Sequence, residues 1–197
     1  MPLAKPVFVD NDKTMKEPPI RKTRSSINAR GHAHELTFTT YKKARVLTNP
    51  GVAEGFLRAL DEARHSCDFD IWAYVVMPEH CHVLIRPRQE TYKMSGILSA
   101  IKNPASRAAF EACPELQETM SVRSRGRLPE HRLWLPGGGY DRNIVQSATA
   151  WKCIRYIHAN PMVRGLTVRE EDWEWSSVRA YNGGDGPIPV DLCDWEL

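Results

Sequence analysis

Two strand-like apolar runs separated by a very short break constrain this chain more than any other feature. Phe69 to Met77 reads Phe-Asp-Ile-Trp-Ala-Tyr-Val-Val-Met, and Cys81 to Arg86 reads Cys-His-Val-Leu-Ile-Arg. With only a Pro78-Glu79 turn to join them, the two runs predict a tight antiparallel pair. Side chains alternate across a strand, so His80 and His82 share one face while Cys81, Val83 and Ile85 share the other. Two imidazoles side by side on a rigid face make a metal seat with room for further ligands.

The rest of the chain supplies elements of compatible size. Glu35 to Tyr41 alternates and predicts a first strand. Val52 to Arg64 carries apolar residues at 53, 56, 57, 60 and 63, a helical stripe. Tyr92 to Phe110 predicts a second helix, interrupted or kinked near Asn103-Pro104. Residues 113–131 read as loop, His131 to Leu135 as a short fourth strand, and Pro136-Gly-Gly-Gly139 as a flexible turn. Ile144 to Asn160 predicts a helix that stops at Pro161. A further short turn is expected at 175–180. This order is that of an α+β, ferredoxin-like split β-α-β plait. It has an antiparallel sheet with helices on one face and an added C-terminal helix. The histidine face is then expected to be uncovered, a surface for a flat or stranded ligand.

A single domain of this length can bury a modest core. Residues 1–33, rich in proline and ending in a basic stretch, read as an extended arm. Residues 34–181 form the expected catalytic domain, and 182–197 an acidic tail. No apolar run approaches a membrane span, and the N-terminal residues hold no signal-peptide core. Five scattered cysteines without a C-x-x-C predict reduced thiols in a cytoplasmic protein. The net charge of +3 is modest, but its distribution is uneven. Arg21, Lys22, Arg24 and Arg30 form one basic cluster, and Arg123, Arg125, Arg127 and Arg132 another. Such clusters suit an anionic partner such as nucleic acid, and equally a solvated surface.

The last predicted helix holds the second signal. Ala150, Cys153, Ile154 and Ile157 fall on one side, whereas Thr149, Lys152, Tyr156 and Asn160 fall on the other. Residues at i and i+4 are neighbours on a helix, so Tyr156 and Asn160 present a phenol and an amide together. A phenol is a weak nucleophile at neutral pH because its ordinary pKa is near 10. A divalent ion that polarises a phosphodiester makes attack by a phenol feasible. Two histidines and an amide oxygen would hold Mg²⁺ or Mn²⁺ with positions left open. Lys152, one turn before Tyr156, is placed to steady a phosphate or to lower the phenol's pKa.

The segment Met77-Pro-Glu-His-Cys-His-Val-Leu84 resembles the HUH motif of the IS200-like single-strand transposases. Tyr156-Ile-His-Ala-Asn-Pro-Met-Val-Arg-Gly-Leu166 resembles the tyrosine helix and following turn of that family's REP-associated branch. Tyr140-Asp-Arg-Asn-Ile and Asp172-Trp-Glu-Trp-Ser-Ser177 resemble the stretches before that helix and at the branch's end. The resemblance covers 34–181. It implies metal-dependent cleavage and joining of single-stranded or hairpin DNA, through a covalent 5′-phosphotyrosine and a free 3′-hydroxyl. It implies Tyr156 as nucleophile and His80, His82 and Asn160 as ligands of Mg²⁺ or Mn²⁺. Arg164 is a candidate phosphate contact, and the protein is expected to act as a monomer or homodimer. The stretch from His82 to Tyr156 is longer than in a minimal member, and Trp134 is followed by leucine where the family has a polar residue.

Each residue also has a plainer reading. H-x-H alone is a weak metal signal, and its weight comes from the Tyr-x-x-x-Asn helix that follows. Asn160 also suits the end of a helix before Pro161. Cys81 is expected in the core, and His158, off the Tyr156 face, as structural or exposed. His32 and His34 are expected in a solvated arm, with the sheet edge as the alternative, and Glu79 as a turn residue, with a place at or behind the metal as the alternative. Two rival functions are a non-catalytic DNA-hairpin-binding protein and a zinc hydrolase. The latter lacks an H-E-x-x-H or a suitable acidic cluster.

Overall fold

The computed structural model describes residues 27–122, 130–137 and 139–195. In chain order the elements are β1 (Ala33–Thr39), α1 (Pro50–Cys67), β2 (Phe69–Met77), β3 (His80–Pro87), α2 (Met94–Ala112), α3 (Leu116–Thr119), β4 (Ser121–Val122), β5 (Glu130–His131), β6 (Tyr140–Ile144), α4 (Ser147–Val163) and α5 (Val178–Tyr181). The main sheet has the order β2-β3-β1-β6, with every neighbouring pair antiparallel. β1 and β2 therefore run parallel with β3 between them, which is the split β-α-β plait that the order of elements predicts.

The fourth strand differs from the sequence expectation. It is Tyr140–Ile144, not 131–135, and it pairs along β1. Glu130–His131 instead pairs with Ser121–Val122 in a separate two-stranded ribbon. Around Trp134 the chain makes only an isolated antiparallel bridge to Thr40, and the apolar side chains of Leu133 and Trp134 join the core. Trp134 packs against Phe38 and Phe56, with ring centroids 6.0 and 5.7 Å away. The backbone of 133–135 is held at the end of β1 by Tyr41 N–H to Leu133 O and Leu135 N–H to Thr39 O.

One sheet face carries Leu36, Phe38, Ile71, Tyr74, Val76, Cys81, Val83 and Ile85 against α1 and α2. α1 begins where the Asn49 side chain accepts from Gly51 N–H at 3.0 Å, with Pro50 in the first turn, where its missing N–H costs nothing. The two helices approach closely at Gly55, where an added Cβ would lie 2.8 Å from Ala108 Cβ. α2 runs through Pro104 without the expected interruption. The proline removes one backbone bond, while Ile97, Leu98, Ile101, Ala105 and Ala109 stay buried along the contact with α1.

The opposite face is covered, contrary to the sequence expectation. Ala150, Cys153, Ile154 and Ile157 of α4 bury Ala33, Trp72, Ala73, Val75, Met77, Leu84 and Ile144. A bulge helps: Ile71 pairs with Ile85 and Ala73 with Leu84, leaving Trp72 as the extra residue. Such an insertion turns consecutive side chains to one face, and Trp72 and Ala73 both join the α4 cluster. α4 also continues past Pro161 to Val163.

The C-terminal residues seal the outer edge of β2. Val76 N–H donates to Trp175 O, Ser177 N–H to Tyr74 O, and Ile71 N–H to the Asp191 carboxylate. Capping an edge this way removes unpaired backbone groups that would otherwise recruit another strand. Trp195 packs on Trp72 at 4.9 Å, and Arg86 donates to both carboxylate oxygens of Asp194. Trp173 donates to Val76 O, so it serves packing here. No described helix is long and apolar enough to cross a membrane.

His34 also departs from the sequence expectation. It lies inside β1, fully buried, with its ring nitrogens 2.8 Å from Asp141 Oδ1 and 2.7 Å from the Tyr92 hydroxyl. Tyr92 also bonds Ala29 O, and Asn143 bonds Ile27 O and the His32 ring. The end of the expected arm is thus tied to the sheet from residue 27 onward.

Candidate active site

The site grows from the register of β3 against β1. Thr39 stands opposite His80 and Thr37 opposite His82. The alternation places Cys81 in the α1–α2 core and both histidines on the α4 face. Their rings meet edge to face at 4.8 Å. Each ring is held through Nδ1. Thr37 Oγ1 lies 3.0 Å from His82 Nδ1, and Glu79 Oε1 lies 3.2 Å from His80 Nδ1. Both Nε2 atoms are thereby left for the site.

Burial disfavours charge on these rings. It lowers the pKa of His80, against the raising influence of Glu79. It lowers His82 to about 4, helped by the neighbouring His80. Neutral imidazoles at pH 7 have a lone pair to give to a metal. Burial opposes ionisation of Glu79, but its partners Arg164, first, and His80 outweigh it and hold its pKa below the usual range.

The tyrosine helix delivers the second half. Tyr156 is 53% exposed, and its ring packs against His82 at 5.4 Å and 74°. Lys152, one turn earlier, is exposed on the same helix. Asn160, one turn later, is buried at 7% exposure, so it turns inward rather than outward with Tyr156.

The structure therefore brings His80, His82 and Tyr156 into ring contact, with Asn160 and Lys152 one turn away on either side of the tyrosine. Arg164 does not extend toward solvent alone. Its Nη2 donates to Glu79 Oε1 at 2.8 Å. Arg21, Lys22, Arg24, Arg123, Arg125 and Arg127 lie outside the described residues. His158 is buried, and burial lowers its pKa to about 4. It bonds Ser177 Oγ at 2.9 Å, and that hydroxyl also accepts from Tyr74 N–H and donates to Tyr74 O. Having one proton, the hydroxyl receives the third bond from His158 Nε2–H. His158 thus docks α4 onto β2 and takes no part in the site.

One contributor, Thr37, escaped sequence reasoning, and another, Glu79, figures there only as the lesser alternative to a turn residue. Thr37 carried no motif, and only the β1–β3 register reveals it. Glu79 stood next to His80 in the motif itself, and its acidic side chain was a signal of the partner a ligating histidine commonly has. Among the described residues, no three His, Cys, Asp or Glu side chains converge as a metal group. Among the described residues, a third protein ligand beside two neutral histidines is then of another type. The amide oxygen of Asn160 is such a donor, and a mixed imidazole and oxygen set fits Mn²⁺ or Mg²⁺.

A family model for IS200-like transposases matches residues 29–160, and the chain belongs to that family. The family places it among DNA-transposition enzymes. A solved structure of a REP-associated tyrosine transposase bound to a REP hairpin is similar, with a TM-score of 0.62 at 18% identity, covering 87% of this chain and 93% of that one. This likeness extends the agreement in fold across nearly the whole molecule. A crystal structure of a candidate transposase from Deinococcus radiodurans R1 aligns at 22% identity with a TM-score of 0.46, over 70% of this chain and 95% of that one. No curated protein sequence matches the chain.

Proposed function

We propose that this protein cleaves and rejoins single-stranded DNA at hairpin-flanked sites, with Tyr156 as nucleophile, in the manner of the REP-associated branch. The supporting observation is the contact of the Tyr156 ring with His82, which leaves the phenol half-exposed beside two neutral imidazoles. The phenolic oxygen forms a bond to phosphorus and gives its proton to solvent. The bond from phosphorus to the 3′-oxygen breaks, and that oxygen leaves as a free 3′-hydroxyl. The 5′ end stays on Tyr156 until a 3′-hydroxyl attacks in the reverse sense. His80, His82 and Asn160 would hold Mg²⁺ or Mn²⁺, which when bound draws charge from the scissile phosphate. Lys152, on the exposed side of α4, contacts the DNA backbone, and the basic stretches around 21–24 and 123–127 extend that footprint.

The test uses 3′-labelled hairpin DNA from around the gene, with and without Mn²⁺ or Mg²⁺, on a denaturing gel. Tyr156→Phe should abolish the metal-dependent shifted band, at least about a thousandfold, while hairpin binding persists. Tight binding without any adduct from the unaltered protein would instead support the non-catalytic hairpin-binding reading.

A further inference from the structure

We propose that Glu79 and Arg164 form a positioning relay: Arg164, at the end of the tyrosine helix, clamps the Glu79 carboxylate, which orients the His80 ring with Nε2 toward the site. The relay rests on the metal-seat reading above for its purpose, though not for its geometry.

Four observations carry it. Glu79 Oε1 takes both His80 Nδ1, at 3.2 Å, and Arg164 Nη2, at 2.8 Å. A carboxylate can only accept, so Nδ1 must donate, and a neutral His80 is left with its lone pair on Nε2. The Glu79 side chain is only 13% exposed, so solvent does little to hold it in place. Its second oxygen, Oε2, is shielded and has no hydrogen-bond partner among the described residues. Arg164 is therefore the one guanidinium or ammonium group paired with that carboxylate among the described residues. Removing it would leave a shielded charge facing only His80.

The location gives the relay its meaning. Glu79 sits in the turn between β2 and β3, and Arg164 follows the last turn of α4. The pair spans the two elements that bring the histidines and Tyr156 together. Seating of α4 and orientation of a ligand ring then depend on one ion pair. Arg164 acts inside the protein, and not as the phosphate contact that its position after the tyrosine helix invites.

Two readouts test this on the full-length protein. The first is the His80 tautomer in the metal-free protein, from long-range ¹H–¹⁵N NMR of the imidazole. The second is affinity for Mn²⁺ alone, followed by electron paramagnetic resonance. The relay predicts an Nδ1–H tautomer that becomes mixed in Glu79→Ala and in Arg164→Met. It predicts Mn²⁺ affinity weakened roughly tenfold or more by Glu79→Ala and roughly severalfold by Arg164→Met, with the double variant no weaker than Glu79→Ala. Glu79→Gln, which keeps an accepting oxygen, should recover part of the loss. An unchanged tautomer and unchanged Mn²⁺ affinity in Arg164→Met, with weaker DNA binding and a shallower salt slope, would overturn the relay. A wild-type tautomer other than Nδ1–H would overturn it too. An Nδ1–H tautomer lost in both variants, with Mn²⁺ binding indifferent to His80→Ala, would uphold the relay and sink the metal seat instead.

Discussion

The two faces of the sheet are built from the same strands yet serve opposite ends. Leu36, Phe38, Cys81, Val83 and Ile85 close one face completely against α1 and α2. On the other, Leu84 and Ala33 are buried by α4, but the end of β3 where His80 and His82 stand meets a half-exposed tyrosine and a cluster of polar groups. Alternation along β3 makes this possible: each step of one residue moves from core to site. A rigid apolar face thus holds the register that fixes the histidines, and the reactive groups need not contribute to stability themselves.

The comparison breaks most readily on the closed face. Phe38→Ala removes a ring that packs on both Phe56 and Trp134, and should cost about 3–5 kcal/mol in urea unfolding. Tyr156→Phe, on the open face, should leave the unfolding midpoint within error. Equal losses at the two positions would mean that the faces do not divide stability from chemistry.

The α4 face has its own structural weak point, His158. Its folded pKa of about 4 lies below the ordinary value of 6.5. Above pH 6.5 the ring is neutral in both states, and stability is unaffected. As pH falls from 6.5 toward 4, the unfolded chain takes up a proton that the buried ring refuses, and stability declines by up to roughly 3 kcal/mol. His158→Gln should flatten that decline in urea titrations at pH 7 and pH 4.5. A decline of unchanged depth would assign it to other groups, His82 among them.

The smallest effect joins the two regions. Gly139 has φ +72°, and an added Cβ would meet the carbonyl oxygen of Thr37 well inside contact distance. Gly139→Ala should destabilise by about 2 kcal/mol and displace Thr37, the partner of His82. Chemical-shift changes at His82 would register the displacement. Their absence would show that β1 absorbs the strain without passing it to the site.

Much of this arrangement was legible from periodicity. The turn at Pro78-Glu79, the shared face of His80 and His82, and the exposure of Tyr156 follow from local spacing alone. What escaped depends on partners far along the chain. Tyr140–Ile144 is an edge strand with only Ile144 buried, so it has no apolar alternation to announce it, whereas Leu133 and Trp134 do. His34 carries no sign of burial in its neighbours, because Asp141 and Tyr92 satisfy it from elsewhere. The covered face was foreseeable in part: the stripe of Ala150, Cys153, Ile154 and Ile157 needs a surface to bury against, and the sheet is that surface. The inward turn of Asn160 and the grip of Arg164 on Glu79 arise only once α4 has docked.

The central claim is that the tyrosine beside the histidines performs the chemistry. Its most direct test is to trap the protein on 3′-labelled hairpin DNA with Mn²⁺, digest with trypsin and locate the labelled peptide by mass spectrometry. The account predicts DNA on the peptide 156–164, attached through the Tyr156 oxygen. Attachment at another residue, or cleavage with no covalent species at all, would contradict it.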